Sequence, residues 1–92
     1  MVEYNILTEQ RLEIYRSAEL KGWQRAITYQ TEGFAPRTVW IDEEKLPDAV
    51  WEAKNPGKPV PADLQAQGDK VRRATFDADI ARIKAAPQAR KI

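Results

Sequence analysis

The sequence contains no cysteine and no histidine, and its only serine is Ser17. Without cysteine the chain cannot form a disulfide framework or a thiolate metal site. Without histidine it cannot build a Ser-His-Asp or Cys-His arrangement, and it lacks the commonest transition-metal ligand. Ser17 stands between Arg16 and Ala18, without the flanking glycines of a nucleophile elbow. We therefore expect a protein that is not an enzyme and that carries no cofactor and no metal.

Long apolar runs and glycine-rich loops are also missing. No stretch approaches the ~20 consecutive apolar residues of a membrane span, and the first residues lack the basic and then apolar plan of a signal peptide. The four glycines are isolated from one another, so no loop can cradle a phosphate. These features predict a soluble protein, cytoplasmic or inside a macromolecular particle, with no membrane and no small-molecule substrate.

A strong charge of one sign is missing as well, since 15 Lys and Arg face 14 Asp and Glu. Residues 1–54 carry a net charge of −3 and residues 55–92 a net charge of +4. Attraction to a polyanion would therefore arise in the C-terminal part. The side chains that could contact nucleic acid phosphates are Lys70, Arg72, Arg73, Arg90 and Lys91.

What is present is enough apolar material for one core, with 42% hydrophobic residues and three Trp in 92 residues. Pro and Gly punctuate the chain. We expect a β-meander plus a short helix in residues 1–57, a Pro-rich connector in residues 58–61, and a helix with a basic tail in residues 62–92, all in one structural domain.

Three segments read as strands of an antiparallel meander. From Trp23 to Glu32 large apolar and polar residues alternate, and the turn at residues 32–36 leads into a second strand, Arg37 to Asp42. The segment from Arg11 to Lys21 is ambiguous. A helix there would have Thr8 as its N-cap, whereas a strand would put Leu12, Ile14, Ala18 and Leu20 on one face. We favour the strand.

Two helices follow. Pro47 suits the first position of a short helix that ends at Asn55-Pro56-Gly57. From Ala62 to about Ala86 the composition is helical, but the apolar residues fall on two faces, one with Leu64 and Val71 and one with Phe76, Ile80 and Ile83. The helix either kinks near Gly68 or offers one face to a partner. The fold class predicted is α+β, with a small antiparallel β-meander packed against a short helix and a longer C-terminal helix.

Two groups of residues have both a structural and a functional interpretation. The acidic residues 42–44 with Asp48 could bind Mg²⁺, but acidic residues are favoured in the first turn of a helix, and we prefer that explanation. Trp23, Arg25, Ile27 and Tyr29 would share one face of their strand. That face could stack nucleic acid bases, but in so small a domain it is more often the core.

Protein binding is the function that the residues favour, because Trp, Tyr and Arg anchor interfaces. The candidate interface lies within residues 51–83 and comprises Trp51, Leu64, Val71, Phe76, Ile80 and Ile83. The layout, with a meander ending in Thr38-Val39-Trp40-Ile41, a helix started by Pro47 and an Ala/Arg-rich C-terminal helix, resembles small accessory and structural proteins of bacteriophages. This resemblance implies a subunit of a larger assembly, with a protein partner or a homo-oligomer. The alternatives are a small nucleic-acid-binding regulator and a protein inhibitor of a host enzyme.

Overall fold

The computed structural model describes residues 3–15 and 21–85, and within them it shows a three-stranded antiparallel sheet with two helices. The strands are β1 (Asn5–Tyr15), β2 (Lys21–Gln30) and β3 (Arg37–Asp42), in the order β1-β2-β3. A 3₁₀ turn (Glu43–Lys45) leads into α1 (Pro47–Lys54), and α2 (Ala62–Ala85) follows. The predicted α+β fold is confirmed.

The sheet forms as the alternating pattern predicts. In β2, Ile27 and Tyr29 are buried, and β3 pairs with it through Ile27 opposite Val39 and Arg25 opposite Ile41. The face of Trp23, Arg25, Ile27 and Tyr29 is therefore the side that faces the helices.

The ambiguous segment is a strand as far as the structure describes it. Residues 11–15 belong to β1, and Thr8 lies in the same strand, so a helix capped by Thr8 is wrong. Ser17, Ala18 and Leu20 lie outside the described residues. β1 begins at Asn5, earlier than the sequence indicated, and the register shifts between Ile6 and Thr8. The extra residue, Leu7, is a β-bulge in this edge strand.

The turn between β2 and β3 and the start of α1 lie at the Gly and Pro residues that the sequence indicated. Gly33 has a φ of +90°, which a residue with a side chain rarely adopts, and the Phe34 N–H donates to the Thr31 carbonyl at 3.2 Å. α1 starts with Pro47 as expected. At its end the Asn55 side-chain amide donates to the Trp51 carbonyl at 2.9 Å.

The core lies between the sheet and the helices. Its buried members come from β2, β3, the segment before α1, and both helices: Ile27, Tyr29, Val39, Ile41, Leu46, Ala49, Phe76 and Ile80. The rings of Tyr29 and Phe76 stack with their centroids 4.2 Å apart, and Tyr4 packs edge-on against Tyr29 at 5.7 Å. Aromatic pairs of this geometry add to the stabilisation that their buried area provides.

α2 continues through Gly68, which is buried. A Cβ at this position would lie 1.8 Å from Asp48 Oδ1, so glycine leaves the room that the Asp48 side chain of α1 occupies against α2. Gly68 begins a buried stripe that continues every four residues through Arg72, Phe76 and Ile80. A stripe that contains a glycine and an arginine has no clear apolar periodicity, which explains the two apparent faces.

Candidate functional site

Two of the six residues of the interface predicted within residues 51–83 are buried in the core. Phe76 and Ile80 are 2% and 6% exposed, and they pack in the core, so they cannot contact a partner. Val71 and Ile83 pack partly buried against the same core, and Trp51 and Leu64 are half-buried. The reason is that α2 uses its Phe76/Ile80 side to cover the sheet.

The predicted nucleic acid contacts are also divided by the structure. Arg72 is 4% exposed and engaged in ion pairs, so its place among the phosphate contacts was wrong. Lys70 and Arg73 are exposed, and the Arg73 guanidinium lies 5.3 Å from the centre of the Tyr4 ring. Arg90 and Lys91 lie outside the described residues.

A set of alternating charges joins the sheet to the helices, and we call it the interlayer charge network. It comprises Glu9, Arg11, Arg25, Glu43, Asp48 and Arg72. Arg72 binds two carboxylates at once, donating from Nη2 to Glu9 Oε2 at 2.8 Å and to Asp48 Oδ2 at 2.9 Å. Bidentate arginine–carboxylate pairs are among the strongest hydrogen-bonded pairs in proteins. Through these two ion pairs, Arg72 of α2 links β1 at Glu9 and α1 at Asp48.

The network continues through the sheet to the 3₁₀ turn. Arg25 donates to Glu9 at 2.8 Å and to Glu43 at 2.7 Å, and Arg11 donates to Glu43 at 2.7 Å. Burial opposes the ionisation of Glu43, but the hydrogen bonds from the two arginines outweigh it and lower the pKa of this carboxyl. The network contains three arginines and three carboxylates, so its charges cancel. Each carboxylate is therefore engaged by at least one arginine.

A second cluster surrounds Asp79 of α2. Tyr29 donates its hydroxyl to Asp79 at 2.5 Å, and Arg37 and Arg82 donate to the same carboxylate at 2.8 and 2.7 Å. The hydrogen bond from Arg37 is the largest influence and lowers the pKa of Asp79 to about 2. Burial, followed by the bond to Asp79, raises the pKa of Tyr29. In the part of the chain that the structure describes, no group of acidic side chains is arranged to hold a metal ion.

The other side of the sheet, which we call the outer face, is turned away from both helices. The strand register assigns to it Asn5, Thr8, Gln10, Leu12 and Ile14 of β1, Gly22, Gln24, Ala26, Thr28 and Gln30 of β2, and Thr38, Trp40 and Asp42 of β3. Cross-strand partners in an antiparallel pair point to the same side, which fixes these assignments. Thr28 and Thr38 are joined by a hydrogen bond of 2.8 Å, and Gln24 donates to Asp42 at 2.9 Å.

Large apolar side chains stand exposed on the sheet rather than on the helices. Trp40 is 59% exposed and Leu12 is 39% exposed on the outer face. Every large hydrophobic residue that is exposed in the described part of the chain lies in a strand: Ile6, Leu7, Leu12, Tyr15, Trp23 and Trp40. The large apolar side chains that are exposed in the described residues therefore lie on the sheet, outside residues 51–83.

The outer face is also depleted in charge. One of its thirteen residues, Asp42, is ionisable as an acid or a base, whereas the chain as a whole is 32% charged. Charge depletion with an exposed tryptophan is the composition that distinguishes the centre of protein interfaces from ordinary surface. Trp23, Arg25, Ile27 and Tyr29, the alternate positions of β2 weighed as a binding face from the sequence, are the ones that face the helices. The residues of β2 that alternate with these, Gly22, Gln24, Ala26, Thr28 and Gln30, are all uncharged, and this is the feature of the sequence that could have indicated the outer face. They form part of a continuous surface only when β1 pairs with β2.

Comparisons with protein-family models, with curated proteins and with solved structures found no match. In the described residues, no helix combines the length and the apolar character that crossing a membrane requires.

Proposed function

We propose that this protein is a non-enzymatic binding module that joins a larger protein assembly through its outer face. The observation that carries the proposal is the exposure of Trp40 at the edge of a sheet surface that holds one charged residue in thirteen. A tryptophan in such surroundings is a typical anchor of binding energy. The resemblance in layout to accessory proteins of bacteriophages points in the same direction, towards an assembly component.

The arrangement of the chain's charges supports this proposal. The strands place Glu9, Arg11 and Arg25 on the side that faces the helices, where these residues form ion pairs. The solvent side of the same strands carries threonine and glutamine with Leu12 and Trp40. A sheet surface with no other role usually carries charged residues on its solvent side. Here the charged residues face the helices and the uncharged residues face solvent. This reversal is explained if a partner covers the outer face when the protein functions.

The proposal can be tested by site-specific photo-crosslinking in the cells that produce the protein. A photoreactive amino acid at Gln10, which lies in register with Ala26 and Trp40, should form adducts with protein. The same probe at the exposed position Ala66 of α2 is the control and should form few. Adding Trp40→Ala should reduce the Gln10 adducts at least about tenfold, since truncated anchor residues lose that much affinity.

The proposal fails if the Gln10 probe forms no protein adducts, or if its adducts are insensitive to Trp40→Ala. Trp40 is 59% exposed, so its replacement should leave the thermal unfolding midpoint within a few degrees of the original. That measurement separates loss of binding from loss of folding.

The alternative of a nucleic-acid-binding regulator has less support, because Arg72 is committed to Glu9 and Asp48. The other described candidates are Lys70 and Arg73; Asp69 is adjacent to Lys70 in the sequence, and Asp77 lies one helical turn after Arg73. A mobility shift at low salt that disappears when Lys70 and Arg73 are replaced would favour this alternative.

A further inference from the structure

We infer that the edge of β3 that faces away from β2 binds an extended, acidic peptide segment of another protein, which adds to the sheet as a further strand. This inference goes beyond the proposed function, because it concerns an edge of the sheet and not its outer face. It rests on the position of a groove, on the backbone of β3 and on the charge beside them.

A groove of about 460 Å³ lies between β3 and α2. The residues that line it are Thr38, Val39, Trp40, Thr75, Ala78, Asp79 and Arg82. Thr38 and Trp40 belong to the outer face, whereas Val39 is buried towards the helices. An opening bordered by side chains from both faces of one strand must lie at the edge of that strand. The groove therefore follows the edge of β3, and α2 forms its other wall.

The backbone of β3 specifies what can occupy this groove. In the described part of the chain, the backbone hydrogen bonds of residues 38–41 go to β2 alone. Alternate residues of a strand direct their N–H and C=O groups to opposite sides, so about half of the β3 backbone is left to pair at the groove. An extended segment presents matching groups at the same spacing over the length of β3, about 20 Å. The occupant is therefore a strand.

The two edges of the sheet differ in how they meet other strands. The β1 edge has its bulge between Ile6 and Thr8, followed by Glu9, Arg11 and Glu13 at alternate positions. Bulges and charged side chains are the features by which natural edge strands avoid adding another strand. β3 pairs with β2 in a continuous register, and its four central residues, 38–41, are uncharged. Of the two edges, β3 is the one open to a further strand.

Short side chains on α2 make room for this strand. A strand beside β3 directs alternate side chains towards the helices, as β3 does with Val39 and Ile41. They would meet Thr75, which is half-buried, and Ala78, which is exposed and lies one helical turn later. Two small residues at this point leave the groove unfilled by α2. We therefore expect apolar side chains at alternate positions of the segment.

The charge at the groove selects an acidic segment. Arg37 and Arg82 both donate to Asp79, so two guanidinium groups face one carboxylate and one positive charge is in excess. The side chain of Arg82 is 77% exposed, and in the described residues its hydrogen bond runs from Nη2 to Asp79. A guanidinium carries several N–H donors, so donors remain for a second carboxylate. We expect an Asp or Glu at the end of the segment next to Arg37.

The probe for the test is a peptide selected against the full chain from a display library of random peptides about as long as β3. Selected sequences should alternate apolar residues and contain Asp or Glu. The tightest peptide is then synthesised with N-methyl groups on one alternate set of its residues, and separately on the other set. Methylation of the set that donates to β3 should weaken binding at least about tenfold, and methylation of the other set should change it by less than about twofold.

Two variants of the chain locate the site, with fluorescence anisotropy of the labelled peptide as the measurement. Ala78→Trp fills the groove and should abolish binding, whereas Ala66→Trp, at an exposed position of the same helix outside the groove, should not affect it. Arg82→Glu should weaken the acidic peptide, and a peptide with Lys in place of its acidic residue should recover binding to that variant. Amide hydrogen exchange should slow within residues 38–41 when the peptide binds.

The inference is overturned if selection yields no binding peptide, if both methylated sets behave alike, or if the peptide binds Ala78→Trp as well as Ala66→Trp. Circular dichroism checks that each variant is folded, and an unfolded Ala78→Trp is replaced by Ala78→Leu. The crosslinking probe at Gln10 reports on the outer face, and the peptide reports on the β3 edge. Each proposal can therefore fail while the other stands.

Discussion

Replacing Gly68 with alanine tests how the helices meet, because the expected effect is opposite in sign to that of the same change in most helices. Alanine is favoured over glycine in a helix interior by about 1 kcal/mol. At Gly68 the added Cβ would lie 1.8 Å from Asp48 Oδ1 and 2.9 Å from Arg72 Nη1. Asp48 must then leave its position, and its two hydrogen bonds from Arg72 break.

The magnitude follows from these two opposing effects. Breaking a buried ion pair costs about 3–5 kcal/mol, and the lower end applies here because Arg72 keeps its bonds to Glu9. Subtracting the helical preference of alanine leaves a net loss of about 2 kcal/mol in the free energy of unfolding. For a domain of this size that loss corresponds to a melting temperature lower by roughly 10 °C.

Urea unfolding followed by tryptophan fluorescence and far-ultraviolet circular dichroism measures the change. Ala66→Gly, at an exposed position of the same helix, is the matched control and should lose about 1 kcal/mol through helix propensity alone. In an Asp48→Ala background the 1.8 Å contact is gone, and the Arg72 guanidinium, no longer held by Asp48, can move away from the remaining contact at 2.9 Å. Gly68→Ala should therefore become neutral or stabilising by up to about 1 kcal/mol.

Stabilisation of the otherwise unchanged protein by Gly68→Ala would show that Asp48 does not restrict this position. A loss as large in the Asp48→Ala background as without it would show the same, since the destabilisation would then have no connection with Asp48.

Three further predictions use the same unfolding assay. Phe76→Ala should lower the free energy of unfolding by about 3–5 kcal/mol, because it opens a cavity beneath Tyr29, and a loss under 1 kcal/mol would contradict the core assignment. Arg72→Ala should cost about 3–5 kcal/mol by leaving Glu9 and Asp48 without their partner, whereas exposed Lys70→Ala should change stability by less than about 0.5 kcal/mol. Since the pKa of Asp79 is lowered from 3.8 to about 2, its ionised form contributes roughly 2 kcal/mol above pH ~4. That contribution should disappear as the pH falls from ~4 to ~2, and Asp79→Asn, less stable at neutral pH, should not show this part of the acid dependence.

Local signals predicted most of the fold. β3 begins where the sequence indicated because Pro36 restricts the backbone before it, and α1 does so because Pro47 suits its first position. β2 follows its alternating residues. These features depend on neighbours in the chain. The start of β1 at Asn5 was missed because that strand carries polar and charged residues at many positions and depends on pairing with β2.

The candidate surface was harder to predict because it depends on contacts far apart in the sequence. Phe76 and Ile80 looked available for a partner only because Gly68 and Arg72, the other members of their stripe, are not apolar. Arg72 looked like a phosphate ligand because its partners Glu9 and Asp48 lie 63 and 24 residues away. No pattern within a helical turn or a strand reports pairs at such separations.

The alternation of β2 has a consequence for how this protein could change over time. Arg25 is held by Glu9 and Glu43, so substitutions there act on the fold, while its neighbour Ala26 lies on the outer face. On the proposed function, folding and recognition fall to adjacent residues on one strand, and each can vary with little effect on the other. A library that randomises Gln10, Gln24 and Thr28 while retaining the helix side should remain folded, which would make this small domain a scaffold for selecting new binding specificities.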